Sequence, residues 1–463
     1  MKNNRVIKNL SLSMFAQVIS LGVSFLLNMI VPKFITELDF ANWQAFVLYI
    51  SFVGVLHFGL LDGIILKYSK YNYDTLDKGR LKSQFFVLTL MLTISSVLSF
   101  AIGFLFFEGF YRTVMILLAF GILSKNIFTF QSYLFQITNR IGKYAIIVIA
   151  QRLAYGVVVV LLLLFKVNNY IWYCIADLIG DTIGFIIGFI FNFDLFRHKS
   201  LKIKEAFKEA GDNIRFGIML MLSNWTSVLI IGIAKIFVQI EWNQITFGKV
   251  AFSFSVASLF LAFVTAASIA LFPSLKRMKE EELPDFYVNL RSKLSPFLYC
   301  CLILYFPGVI ILRLWLPVYS QSLTYLSFIL PIIIFSSRIG LLTNNYFKAY
   351  RKEKTMMFIN IGTAVTGAGI FAITAFVFKN IKMTLLSVVL VLMMQSFASE
   401  LFISKYINRK GFLSSWIGEI IIVAIFVLSA SSLFSLRTGV AIYFGALSLY
   451  FIINKILRNR GAL

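Results

Sequence analysis

The sequence predicts an all-α polytopic membrane protein of about fourteen transmembrane helices: two pseudo-symmetric six-helix bundles and then two additional helices. Three observations predict it. Of the 463 residues, 59% are hydrophobic and only 14% charged, against about 25% charged in a soluble domain, which is too few to give soluble domains a polar coat. Apolar runs of about 20 residues, long enough to cross hydrocarbon, recur from end to end. Between these runs the basic residues, 43 Lys and Arg against 20 Asp and Glu, gather on alternate loops. Fifty Phe and twenty Tyr against seven Pro also exclude a disordered chain.

The spans fall near 10–35, 43–66, 83–107, 113–135, 144–165, 170–193, 214–237 and 246–272, then 294–316, 322–346, 355–378, 383–404, 416–436 and 439–456. The first follows a basic N-terminus, Met1-Lys-Asn-Asn-Arg-Val-Ile-Lys8. Its apolar stretch runs longer than the 7–15 residues of a signal-peptide core and reads as a retained helix. With the N-terminus inside, the inner segments hold Lys67, Lys70, Lys78, Arg80 and Lys82, then Arg140 and Lys143, then a set from Arg197 to Arg215. They continue with Lys276, Arg277, Lys279, Arg291 and Lys293, then Lys348, Arg351, Lys352 and Lys354, then Lys405, Arg409 and Lys410. The outer segments hold only Lys33, Arg112, Lys166, Lys249, Lys379, Lys382 and Arg437. A missed helix would reverse this asymmetry downstream, so both termini are expected to be cytoplasmic.

A net charge of +23 in a soluble protein would point to nucleic acid; its distribution here is that of membrane loops, and no nucleic-acid partner is expected. Cys174, Cys300 and Cys301 form no metal-ligand spacing, His57 and His198 are the only histidines, and no phosphate-binding G-x-x-x-x-G-K-[ST] run occurs. No catalytic residue, metal or cofactor is expected. No loop is long enough for a catalytic domain, which favours transport over enzymology.

The chain divides into residues 1–193, a cytoplasmic linker 194–213, residues 214–404 and a terminal pair of helices at 405–463. Ile7-Lys8 opens the first helix and Ile214-Arg215 the seventh, each followed by two spans and a basic inner cluster. Six spans is an even number, so the repeats are parallel and a site at their interface is expected. The linker reads either as an amphipathic helix on the inner surface or as a solvated connection.

Charges inside the spans carry the functional reading, because one at the bilayer centre costs about 2.5–3.5 kcal/mol on insertion scales. Lys125 lies about twelve residues into its span, roughly 18 Å deep, and Arg338 and Arg152 are also deep. With no acidic neighbour on their own helices, Lys125 and Arg338 read as lining a hydrated, anion-accepting cavity. Arg152 either joins them or pairs with Asp177 or Asp181, which share a helix face. Lys235, Lys249 and Arg313 lie near outer helix ends, as substrate contacts or as snorkelling side chains. Asp62 reads as a gate or cap, and His57 as packing or as a titrating group. Together with Asp177 and Asp181, Asp62 is a candidate for ion coupling. Gln17, Asn28, Asn224 and Gln395 either line a polar cavity or bond to neighbouring helices, and Gly180, Gly184 and Gly188 form a stripe for close packing.

Several stretches resemble a family. Pro32-Lys33, Trp43 and Phe58-Gly-Leu-Leu-Asp-Gly63 resemble the opening of polysaccharide (oligosaccharide-lipid) flippases of the multidrug/oligosaccharidyl-lipid/polysaccharide exporter superfamily. Leu271-Phe-Pro-Ser-Leu-Lys-Arg277, Arg313-Leu-Trp-Leu-Pro-Val-Tyr319 and Asn345-Tyr-Phe-Lys-Ala-Tyr-Arg-Lys352 are similar to later parts of it. The resemblance implies two bundles forming a V around a central cavity that works by alternating access in a bacterial inner membrane. The implied cargo is undecaprenyl-pyrophosphate-linked glycan for O-antigen or capsule-type polymers, with a polysaccharide polymerase and chain-length machinery as further partners. The last two helices would help form a groove for the lipid tail, and a proton or sodium gradient would drive the cycle. Two departures stand out: Ile35-Thr36 replaces the family's Gly pair, and Gln17 and Asn28 replace the helix-one arginines of peptidoglycan-precursor flippases. The second points to a surface glycan. The alternatives are a multidrug cation antiporter of the same superfamily, a polysaccharide polymerase, and a major-facilitator transporter, to which only Asp77-Lys-Gly-Arg80 points.

Overall fold

Four of the described helices start at a short polar side chain that caps them. Thr36 accepts a hydrogen bond from the Asp39 amide at 3.1 Å and donates to its carboxylate at 2.6 Å, opening the helix Glu37–Ile50. Asp77, Asn169 and Asn380 cap Lys78–Phe106, Tyr170–Phe191 and Ile381–Ile407 in the same way. Such caps satisfy amides that the first turn leaves without partners. The computed structural model describes residues 2–459 other than 70, 276, 277, 280, 409–414 and 432. Lys70, Lys276, Arg277, Arg409 and Lys410 of the basic sets therefore lie outside the described residues, as does the side chain of Asn224.

The described residues are helical, with no strand. Among the described residues, eleven helices are long and apolar enough to cross a membrane, and thirteen spans result when two broken pairs each count as one. The shorter apolar helix Ser415–Ala430 corresponds to the remaining predicted span. Large apolar side chains such as Leu105, Leu164 and Phe358 point outward, whereas Gln84, Gln131, Asp181, Gln395 and Glu400 are buried. Apolar side chains outside and polar ones within suit hydrocarbon as the solvent.

Two compact units divide the chain, Met1–Trp225 and Thr226–Leu463. The boundary lies inside the helix Ile203–Glu241, and residues 194–213 are not the expected linker. The short helix Phe193–Arg197 and the start of Ile203–Glu241 pack into the N-terminal unit. Leu195 is buried, Gln84 Nε2 donates to the Ala206 carbonyl at 3.2 Å, and Asn213 Nδ2 donates to Gln84 Oε1 at 3.3 Å. The buried Glu209 carboxylate takes Lys67 Nζ at 2.6 Å and the Tyr68 hydroxyl. A charge-rich sequence reads as solvated, but here one of its carboxylates is an anchor.

The second span is broken. The helix Glu37–Ile50 gives way to the 3-10 turn Val53–His57, then to Phe58 and Gly59 with φ of 49° and 81°, before the helix Leu60–Tyr68. Glycine takes that conformation without steric cost. It is also required by space, because a Cβ at Gly59 would meet the Gly217–Ile218 backbone and one at Gly63 the Asn213 carbonyl. The Gly180/Gly184/Gly188 stripe likewise lies against Gln151 and Tyr155, Phe128, and Gln131.

In the C-terminal unit, Pro331 lies at the break between Pro317–Ile329 and Ile332–Ala349, bent by 48°, because proline cannot continue the hydrogen-bond ladder. A π-turn, Ile339–Thr343, follows Arg338 directly. The helix Ser415–Ala430 packs against Ser320–Ile329 and Leu436–Asn459, so the terminal pair belongs to this unit.

Gly63→Val should destabilise the solubilised protein by about 1–3 kcal/mol, the usual cost of overpacking. Gly362→Ala, where a Cβ meets nothing within 4 Å, should stay within about 0.5 kcal/mol of wild type. Thermal unfolding in detergent checks both, and equal midpoints for the two variants would refute the close helix crossing.

Candidate functional site

Each unit contains a four-charge cluster with two cations and two carboxylates. In the C-terminal unit Arg291 comes from Leu283–Leu302, Arg338 from Ile332–Arg338, Glu400 from Ile381–Ile407 and Glu419 from Ser415–Ala430. Arg291 donates to Glu400 through Nε at 2.7 Å and Nη2 at 3.1 Å, to Glu419 at 2.9 Å and to Ser415 Oγ at 2.7 Å. Arg338 Nη1 lies 2.7 Å from Glu419, its Nε lies 3.6 Å from Glu400, and its Nη2 donates to Ser295 at 3.2 Å. Trp416 Nε1 donates to Glu400 at 2.6 Å. All four charged residues are buried, and Arg338 has no exposed surface.

This corrects the expectation for Arg338, which lines no cavity. Its neutralising carboxylates are on two other helices, where inspection of its own helix could not find them. Glu400, Glu419 and Arg291 were missed as partners, although the signal was present as opposite charges inside apolar spans.

The N-terminal cluster is more open. Lys125 Nζ lies 3.5 Å from both Asp177 and Asp181, with 35% of its side chain exposed. Gln151 Nε2 donates to Asp181 at 3.0 Å. The expectation of Lys125 as a free cavity cation is corrected in the same way: the Gly109–Ile137 helix carries the lysine and Tyr170–Phe191 carries its carboxylates. Arg152, the twelfth residue of Ile141–Leu164, is near enough to interact electrostatically with Lys125 and Asp181. It is half-buried and, among the described residues, makes no ion pair. The expected pairing of Arg152 with Asp177 or Asp181 is thus replaced by Lys125.

Lys235 is also half-buried. Its ammonium lies 4.9 Å from the Phe254 ring centroid, without a carboxylate partner among the described residues. Lys249 donates to Gln321 Oε1 at 3.4 Å, and Arg313 is exposed in the last turn of Tyr305–Trp315. Asp62 is buried below the break in the second span, 3.9 Å from His57 Nε2. The Gly59 amide donates to His57 Nδ1 at 3.1 Å, which leaves Nε2 as the protonated nitrogen of a neutral ring. Gln395 donates to Asn360 on a neighbouring helix at 2.8 Å, whereas Asn28 donates to the Ser24 carbonyl one turn back on its own helix at 2.8 Å.

A groove of about 570 Å³ opens between Gly109–Ile137 and Tyr170–Phe191, lined by Leu117, Phe120, Ile127, Ile179 and other apolar side chains, with Ser124 and Thr182. None of the expected cations lines it. A third polar group sits beyond the spans. The Asp194 carboxylate accepts from Tyr73 at 2.6 Å and Lys78 at 2.8 Å, while the Arg140 guanidinium lies 3.3 Å from the Tyr73 ring centroid. Partial burial alone would raise the Asp194 carboxyl, but the bonds from Lys78 and Tyr73 outweigh it and hold the group below its ordinary range.

No protein-family model matches this sequence, and no curated protein matches it. Solved structures do. An inward-facing multidrug-resistance MATE family transporter of the MOP superfamily superposes with a TM-score of 0.63 at 12% identity, over 85% of this chain and 98% of that one. The chain has the fold of MOP-superfamily transporters. Lipid II flippase MurJ, in an inward closed conformation, gives a TM-score of 0.61 at 12% identity over 98% of this chain and 99% of its own. The eukaryotic MATE transporter AtDTX14 gives 0.57 at 13% identity, over 91% and 98%. At 98% coverage, the MOP fold of MurJ takes in both C-terminal helices of this chain.

Two predictions follow from the geometry. Arg338→Leu should destabilise the protein by about 3–5 kcal/mol, because it strands buried carboxylates, whereas Arg338→Lys should lose less; detergent thermal unfolding measures both. A carboxyl depressed on folding adds stability that is complete above the unfolded value near 4 and disappears as pH falls through the folded value. Asp194→Asn should accordingly be less stable than wild type at pH 7, and the gap should narrow as pH is lowered below about 4. A pH-independent gap would show that the carboxylate charge contributes nothing.

Proposed function

We propose that this protein is a transporter that turns undecaprenyl-pyrophosphate-linked oligosaccharide from the cytoplasmic to the outer leaflet of a bacterial inner membrane by alternating access, for O-antigen or capsule-type polymer assembly. One observation carries the reading. Each unit holds a half-buried cation inside an apolar span with no carboxylate partner among the described residues, Arg152 in one and Lys235 in the other. A cation that makes no direct ion pair is costly inside an apolar span, and an anion that arrives with the substrate offsets that cost. A pyrophosphate meets this need, and its isoprenoid tail stays in hydrocarbon.

The N-terminal cluster supplies the ion coupling. With Asp177 and Asp181 ionised, Lys125 is neutralised and offers little to an anion. Protonation of one carboxylate leaves the cluster with one positive charge in excess, so proton binding and anion binding reinforce each other, and the linkage is reciprocal. Asp62 beside His57, at the break in the second span, is a second protonatable pair. The two C-terminal helices, which have counterparts in the MurJ fold, are the elements set to guide the lipid tail, and polymerase and chain-length machinery receive the product.

Deletion of the gene followed by analysis of lipid-linked intermediates tests the class, the expected result being a glycan trapped on the inner leaflet. Arg152→Gln and Lys235→Gln should each lower translocation about tenfold or more, the scale of a lost charge-assisted hydrogen bond, while leaving membrane insertion intact. Asp177→Asn with Asp181→Asn should abolish the pH dependence of translocation. Normal surface glycan in both cation variants would remove these residues from the site.

A second reading is a multidrug cation antiporter. The half-exposed cluster contains two carboxylates, and the 0.63 TM-score to a multidrug-resistance transporter favours it on fold. Export of a lipophilic cation without glycan accumulation would decide for that reading.

A further inference from the structure

The segment that replaces the expected linker has four separate faces. Ala206, Glu209, Ala210, Asn213 and Gly217 are buried against the N-terminal unit. Ile203, Phe207, Ile214 and Ile218 follow helical spacing on the adjacent strip, with Ile203 77% and Phe207 48% exposed. Lys204, Lys208 and Arg215 repeat that spacing one residue later and are all exposed, so a cationic stripe runs beside the apolar one. Glu205 and Asp212 occupy the far side, which ends one turn later in the exposed Phe216.

Glu209 keeps this arrangement from rotating. Its bonds to Lys67 and Tyr68, and the Gly217 backbone against Gly59 and Gly63, fix the buried face. Nearby, Phe193 is 48% exposed with the Arg197 guanidinium 5.1 Å from its ring centroid, and Lys199 and Lys202 are exposed. Water would not favour the apolar strip, and neutral hydrocarbon would not favour the cations.

From this juxtaposition we infer that residues 203–218 form a docking face for the anionic lipid headgroups of the bilayer, with the apolar strip against the acyl boundary and Lys204, Lys208 and Arg215 on phosphates. Charge complementarity selects this occupant: each Lys or Arg near an anionic surface attracts it, and the effect fades within a Debye length. The face lies within one unit and is separate from the membrane-embedded clusters. Lipid composition thereby acts on the helix that leads out of the N-terminal unit.

The test uses the full-length protein in nanodiscs of phosphatidylcholine with and without a quarter phosphatidylglycerol. Wild type should retain phosphatidylglycerol preferentially on detergent extraction and unfold at higher temperature when it is present, and high salt should weaken both effects. A Lys204→Gln, Lys208→Gln, Arg215→Gln variant should lose about threefold or more of that enrichment, with an unchanged midpoint in pure phosphatidylcholine. Spin labels on a background with Cys174, Cys300 and Cys301 changed to Ser should place Phe207→Cys in hydrocarbon and Asp212→Cys in water. Equal enrichment in wild type and variant, displacement of the lipid by inorganic phosphate, or equal aqueous exposure of positions 207 and 212 would each overturn the inference.

Discussion

Hydrocarbon cannot solvate an isolated charge, and that constraint organises the interior of this protein. Four charges summing to zero meet in each unit, and every member of the C-terminal set reaches a partner within 3.1 Å. Removing one member costs more than the pair contributes, because the rest are left buried and uncompensated. Arg291, Arg338, Glu400 and Glu419 join four helices in this way, including the first of the terminal pair.

The two clusters differ in access. The C-terminal set is closed on all sides and further held by Trp416, Ser415 and Ser295. The N-terminal set is held at longer range, 3.5 Å from Lys125 to each aspartate, and part of the lysine is exposed. Weaker, accessible pairing is what a group needs if it is to exchange protons or partners. The same unit contains the broken second span, where two residues with positive φ interrupt the helix beside His57 and Asp62.

Backbone irregularities sit near the charges in both units. Arg338 ends a short helix and a π-turn follows it; Asp62 follows a 3-10 turn and two left-handed residues. Irregular backbone at membrane depth survives only where protein or water satisfies it, and π-turns within α-helices are frequent at functional sites. Glycines 59, 63 and 217 allow helices to approach at backbone contact, so the broken span is held by packing.

Composition and periodicity by themselves determined the all-helical membrane class, the approximate placing of most spans and the presence of charges within them, because these depend on residues near one another in the chain. The small-residue stripe on Tyr170–Phe191 was equally local. Only the tertiary structure decided which charges were neutralised. Lys125 sits 52 residues from Asp177, and Arg291 is 109 and 128 residues from its carboxylates, separations at which a linear reading has no register. It also decided that the charged stretch after Phe193 is a packed helix, since one buried carboxylate, Glu209, is indistinguishable from its solvated neighbours until Tyr68 and Lys67 are brought against it. Coulombic and desolvation energies depend on distance in space, and helix packing sets that distance.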